Sequence, residues 1–348
     1  MEKVFPMKSR NVFILAFSVF AVIVVLGVAF SAFSRVNAPV RNFEFTYVTK
    51  IPALPADAKL SKIWIPLPQS DAYQAISDLK IESPFTYATR RDSEYGNEYA
   101  YLEVPAAKAS AAAEVRFHFQ VARQEHRVAV EGNPSVTNAG AGTEARAGDL
   151  KRFLQPDRRV PLAGIIADLS AEQTRGIQDP MAKARAIYDY VIATMRYDKS
   201  GTGWGNGDAI WACTAKRGNC TDFHSLFIGM MRAAGIPARF EIGFPLPAEQ
   251  HAGTIPGYHC WAEFYVERYG WIPVDASEAW KHPEKKNYFF GAHDDNRVQF
   301  TLGRDIRLDP AQQGEPLNYF IYPYAELDGK PLKLESAFSF QDRMSSSD

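Results

Sequence analysis

Between Arg217 and Ala276 the chain fixes a short order of elements, and that order limits its fold more than any other feature. Phe223, Leu226, Phe227, Met230, Met231 and Ala234 recur at the three- and four-residue spacing of one apolar helix face. Asn219 is a good N-cap type, Asp222 falls in the first turn, and Gly235 followed by Ile236-Pro237 stops the helix. Cys220 therefore sits in the first turn. Free N–H groups and the helix dipole favour negative charge there and lower a thiol pKa from its usual value of about 8.5. Further on, Tyr258–Val266 is aromatic and β-branched and reads as a strand; Arg268-Tyr269-Gly270 turns into a second, Trp271–Val274, which ends at Asp275. A hairpin of this kind brings its ends together, so Asp275 can accept a bond from the His259 ring. That bond would hold the imidazole in the tautomer that takes a proton from sulfur.

Taken singly, each residue has a plainer reading. Most free cysteines are small buried hydrophobes. A histidine in a strand is more often structural, and an aspartate closing a strand is usually a turn former. A thiol, a base and a carboxylate in one order, each on a rigid element, point instead to acyl transfer through a cysteine thioester.

These residues resemble the transglutaminase-like superfamily. The resemblance is carried by Arg217–Phe223 and Arg232–Arg239, by Tyr258–Glu263 and by Gly270–Ala276, in the family's order, and it covers roughly residues 150–280. It implies a papain-like α+β core with Cys220 as nucleophile, His259 as base and Asp275 as orienting group. It fixes the catalytic machinery better than the reaction, because relatives include peptidases and amidases. The stretch Gly291–Arg297 looks like bacterial members and carries no chemistry that the sequence assigns.

The first oxyanion donor is expected to be the Cys220 N–H. A second is expected from the loop Gly201–Asp208. Transglutaminases of the family use an upstream tryptophan in this way, and Trp204 and Trp211 are both candidates, with a packing role as the alternative for each. His224, one helical turn after Cys220, competes for the role of base or serves as a polar neighbour of the cleft. Cys220, His224, His259 and Cys260 do not read as a zinc site. Adjacent strand residues point to opposite faces, and the spacing matches no closed zinc motif. The expectation is no metal and no cofactor; no ligand-rich calcium loop is evident.

At 348 residues the chain is long enough for two domains, and 46% apolar with 23% charged is an ordinary globular composition. A net charge of −1 with no basic stripe gives no case for nucleic acid. Lys3, Lys8 and Arg10 precede an uncharged run over residues 12–33. A bilayer needs about 20 such residues. The reading is a cytoplasmic N-terminus at 1–11, then an anchor or a cleaved signal segment at 12–33, with the remainder extracytoplasmic, in the periplasm or at the cell surface. Three cysteines fit export without a disulfide scaffold and leave Cys213 and Cys260 as one conceivable pair.

Residues 40–131 read as a small antiparallel β-sandwich, with alternating runs at Phe43–Val48 and Val115–Val121 and a strand from Lys62 that meets a proline stop. Residues 132–149, rich in Gly, Ala, Ser and Thr without periodicity, read as a linker or mobile loop. A catalytic domain is placed at 150–340: a helix starting at Asp179-Pro180, the Cys220 helix, a strand at Ala238–Phe244 and the His259 hairpin. Val298–Thr301 and Tyr319–Tyr322 are expected to extend its sheet. The expected function is acyl transfer on a peptide or protein amide, by hydrolysis or by transamidation to an amine acceptor. The alternative is a catalytically silent binding module of the cell envelope.

Overall fold

The computed structural model describes residues 40–130 and 147–343, all within the unit Pro39–Asp348. The expected membrane segment at 12–33 and most of the expected linker at 132–149 lie outside the described residues. Among the described residues no helix is long and apolar enough to cross a membrane.

Seven strands open the fold: β1 (Val40–Ile51), β2 (Leu60–Pro66), β3 (Gln74–Glu82), β4 (Tyr87–Arg91), β5 (Glu98–Pro105), β6 (Ala113–Gln124) and the short β7 (His126–Arg127). The alternation read in β1 is real: Phe43, Phe45, Tyr47, Thr49 and Ile51 are buried while the side chains between them are more exposed. β6 follows the same rule with Val115, Phe117, Phe119 and Val121. The two strands pair along their whole length, Val40 opposite Gln124 and Ile51 opposite Ala113.

Helices then dominate: α1 (Ala147–Arg152), α2 (Ile165–Gln173), α3 (Pro180–Thr194), α4 (Ala209–Ala215) and α5 (Cys220–Ala233). Two short parallel strands, β8 (Arg196–Tyr197) and β9 (Arg217–Gly218), are interleaved with them. α3 begins where Asp179-Pro180 predicts, the Asp179 carboxylate accepting the Ala182 N–H at 2.7 Å, and it buries Ile187 and Val191. The remaining elements are β10 (Ala238–Pro245), β11 (Ala252–Thr254), β12 (His259–Val266), β13 (Gly270–Val274), α6 (Ala276–Lys281), β14 (Ala292–His293), β15 (Arg297–Leu302), β16 (Tyr324–Leu327), β17 (Lys330–Pro331) and β18 (Glu335–Asp342).

Three larger sheets result, beside the two-stranded ladders β14-β7 and β8-β9. The one that carries the site has the order β13-β12-β10-β15, with α5 packed against it and Phe227 meeting Phe264 at 6.3 Å between ring centroids. The other two are antiparallel and five-stranded, β11-β18-β1-β6-β3 and β17-β16-β2-β5-β4. Each therefore mixes strands from both ends of the chain: β18 pairs with β1 from Phe43–Asp342 to Lys50–Glu335, and β16 pairs with β2.

The C-terminal segment thus completes the two five-stranded sheets rather than the sheet beneath the Cys220 helix. Val298–Thr301 extends the four-stranded sheet as expected, pairing with β10, but Tyr319–Tyr322 forms no strand. Its carbonyls are taken by side chains instead, Phe320 C=O by the Thr301 hydroxyl and Ile321 C=O by the Tyr47 hydroxyl at 3.0 Å. Phe45, Tyr47, Phe244, Phe300 and Phe338 form one aromatic cluster, which joins the sheet of β1 and β18 to the four-stranded sheet in a shared core.

Candidate active site

The first turn of α5 is built by reciprocal capping. The Asn219 side chain accepts the Thr221 N–H at 2.9 Å, and the Asp222 carboxylate accepts the Asn219 N–H at 2.9 Å. Asp222 also reaches out of the helix to the glycine loop, accepting the Gly205 N–H at 2.7 Å and the Gly207 N–H at 3.0 Å. From the far side the buried Arg304 donates to Gly207 C=O at 2.8 Å and to the Ser225 hydroxyl at 2.6 Å. The loop is therefore pinned to the helix at both faces. Gly207, at φ +59°, has no room for a side chain, since a Cβ would lie 2.6 Å from Ser225 Oγ.

Cys220 opens this helix and is 1% exposed. Burial alone would raise its pKa, but hydrogen bonds from Cys260 and His259 and the charge of His259 outweigh it and hold the thiol well below its ordinary range. His259 Nε2 lies 2.7 Å from Asp275 Oδ2, leaving Nδ1 as the ring nitrogen for sulfur. Burial opposes the imidazolium, yet Asp275 and Cys220 push the His259 pKa up to about 10. Asp275 is wholly buried. Burial opposes its charge, while His259 and Arg297 keep the carboxyl well below the usual range. These shifts favour a thiolate–imidazolium pair backed by a carboxylate.

Asp275 is held as firmly as it holds. It caps α6, its Oδ1 accepting the Glu278 N–H at 3.0 Å and the Ser277 hydroxyl at 3.1 Å. Arg297 approaches Oδ2 at 3.4 Å and is itself fixed by Asp294 at 3.2 Å and by stacking over Trp261. The stretch Gly291–Arg297, to which the sequence assigned no chemistry, thus reaches the site through Arg297.

His224 is wholly buried, and both of its nitrogens are committed. Nε2 accepts the Ala276 N–H at 3.1 Å, so Nδ1 carries the proton and donates to Cys220 C=O at 2.8 Å. Burial lowers its pKa, in keeping with a neutral ring. The side chain ties the helix that carries Cys220 to the turn that carries Asp275.

Trp204 and Trp211 are placed elsewhere. The Trp204 indole N–H donates to Gly201 C=O at 3.1 Å within its own loop. Trp211, on α4, packs beneath Gly203 with the Arg217 guanidinium over its ring. A cleft of about 570 Å³ opens at His259 and is lined by Tyr197, Leu246, Tyr258, Lys285 and Arg297, with neither tryptophan in its wall. The aromatic group at the helix start is Tyr258, whose hydroxyl lies 2.9 Å from Thr221 Oγ1 and accepts from Asn219 Nδ2 at 3.1 Å. Tyr319 and Tyr322 pack on that ring at 5.5 and 6.0 Å, which is the role the Tyr319–Tyr322 segment fills instead of a strand. Adjacency to His259 was the one signal for Tyr258 in the sequence.

All three cysteines are free thiols. Cys213 bonds to Ile210 C=O at 3.1 Å within α4, whereas Cys260 lies 3.8 Å from both Thr221 Oγ1 and His224 Nδ1 and bonds to Cys220. Strand alternation excludes a shared partner for His259 and Cys260, and here the structure differs: Cys220 bonds to both, because the start of α5 comes down on the first residues of β12.

Residues 167–276 match the family described as Transglutaminase-like superfamily. An uncharacterized protein of Haemophilus influenzae is 27% identical over 332 residues, covering 85% of this chain and 88% of that protein. The uncharacterized protein YebA of Bacillus subtilis is 30% identical over 77 residues, 20% of this chain and 10% of that one. Among solved structures, a proposed cysteine protease from Cytophaga hutchinsonii aligns over 88% of this chain and 99% of its own with a TM-score of 0.58 and 17% identity, a likeness of fold. The segment 167–276, which contains the Cys220 helix and the His259 hairpin, belongs to the transglutaminase-like superfamily.

Proposed function

We propose that this protein is a cysteine-dependent enzyme that transfers the acyl group of an amide through a thioester on Cys220. The carrying observation is the pairing of a helix-start thiol with a histidine whose far nitrogen is held at 2.7 Å by a buried carboxylate. In this reading the thiolate attacks the amide carbon. The Cys220 N–H, unpaired at the helix start, receives the developing oxyanion, with the Tyr258 hydroxyl beside it as second donor. His259 gives its proton to the departing amine, and the thioester then passes to water. Hydrolysis is favoured over transamidation because the cleft wall carries Lys281, Lys285 and Glu278, groups that keep an acceptor side wet. The substrate class is a peptide or protein amide. Placement outside the cytoplasm rests on the apolar run at residues 12–33.

Intact-mass analysis after brief iodoacetamide treatment at mildly acidic pH tests the reading. A single rapid label that requires Cys220 and slows in His259→Ala is expected. Labelling no faster than an ordinary thiol would leave a silent binding module.

A further inference from the structure

A second group of ionisable side chains shares a strand with His259 and has no part in the chemistry above. His259, Trp261 and Glu263 alternate onto one face of β12. Glu263 meets there His126 of β7 and His293 of β14, which are register partners across their own two-stranded ladder. One ligand atom from each of the three lies within 4.8 Å of the other two. His126 Nδ1 is 3.1 Å from Glu263 Oε1, while Arg239 takes the other carboxylate oxygen at 2.8 Å. All three residues are at most 3% exposed.

Among the described residues neither ring nitrogen of His293 has a hydrogen-bond partner, and neither has Nε2 of His126. A buried polar atom is destabilising when unpaired, so a wholly buried imidazole with two such atoms calls for a partner of another kind. Burial and the charge of Arg297 hold the His293 pKa well below the ordinary value, which keeps the ring in the neutral form that binds metals. Burial opposes ionisation of Glu263, but Arg239 and His126 outweigh it and keep the carboxylate charged.

Two imidazoles and one carboxylate from three strands are the donor set of a three-ligand site for a borderline divalent ion, with a fourth position left open. Of the neighbouring cations, Arg123 faces Asp71, Arg297 is paired with Asp294, and Arg239 is paired with Glu263 itself. A pocket of about 240 Å³ lined by Tyr73, Asn97, His126 and Glu263 provides the entry path. We propose that His126, Glu263 and His293 bind one divalent transition-metal ion, zinc by preference, which clamps β7 and β14 onto the strand that carries His259.

The test uses the full chain, stripped with a chelator and titrated with Zn²⁺ against a chelating dye and with Co²⁺ by visible absorption. Cys220→Ala/Cys260→Ala removes the thiols of the other cluster. That variant is expected to bind one zinc per chain as tightly as the wild type, and its Co²⁺ form to show ligand-field bands without thiolate charge transfer. His293→Gln in the same background is expected to weaken binding by more than about 100-fold, beyond the loss from an outer-shell partner. X-ray absorption of the zinc-loaded Cys220→Ala/Cys260→Ala chain counts imidazoles whether or not His293→Gln folds, and two are expected. Absence of binding in the wild type, its loss in the Cys220→Ala/Cys260→Ala chain, persistence in a folded His293→Gln chain, or sulfur in the coordination shell would each overturn the proposal.

Discussion

At the scale of single residues, two histidines on neighbouring elements do different work because of what their nitrogens touch. His259 keeps one nitrogen for sulfur and gives the other to Asp275; His224 spends both on backbone groups. His259→Ala is expected to lower amide turnover about 10²–10⁴-fold, as loss of an acid–base group does, with the fold unchanged by circular dichroism. The pH profiles of the two reactions should separate. Alkylation needs only the thiolate, so its rate should rise well below the ordinary thiol range of about 8.5 and stay high above it. Amide cleavage also needs the His259 proton and should fall as pH passes about 10. Coincident alkaline limbs would refute the ion-pair assignment. His224→Ala leaves Cys220 C=O and Ala276 N–H without their partner and should cost about 3 kcal/mol in urea unfolding. A loss below about 1 kcal/mol would argue against the clamp, since a single net hydrogen bond already contributes that much.

At the scale of elements, the start of α5 is where backbone geometry and chemistry coincide. Gly218 has φ +149°, and a Cβ there would lie 2.3 Å from Asp222 Oδ2, the atom that caps Asn219 and holds Gly205. Gly235, at the other end, has φ +79° and open space around it. Gly218→Ala is therefore expected to dislodge the cap, cost more than about 2 kcal/mol and abolish rapid Cys220 labelling. Gly235→Ala should cost about 1 kcal/mol through backbone strain alone and leave labelling intact. Denaturant melts and labelling rates on the two variants check the contrast; equal effects would show that the cap does not position the thiol.

At the scale of the molecule, the chain closes on itself. β18 completes the sheet begun by β1, and Phe338 sits 4.7 Å from Tyr47 and 4.2 Å from Phe244 in the shared aromatic core. A chain ending before Glu335 should therefore aggregate, with β1 left as a long unpaired edge, although every residue of the Cys220 cluster is retained. Phe338→Ala should destabilise by about 3–5 kcal/mol. Recovery of a monomeric, reactive protein from the truncated chain would show that β18 is dispensable.

What the sequence determined by itself was local. The helix from Cys220, its Asn219 cap, the strand alternation of β1 and β6 and the His259–Asp275 hairpin follow from periodicity, capping and turn chemistry, which act within a few residues. Tertiary structure decided the rest. The pairing of residues 335–342 with 40–51 joins chain ends that share no local signal, and Tyr319–Tyr322, which reads as a strand, is claimed by hydroxyl groups from elsewhere. The candidate tryptophans turned inward to their own loop and helix, while Tyr258, Arg297 and Cys260 arrived at the cleft or the thiol by packing. His126, Glu263 and His293 lie too far apart in the chain for any spacing rule to connect them. Contacts between distant segments depend on which surfaces bury best together, and that is a property of the folded whole.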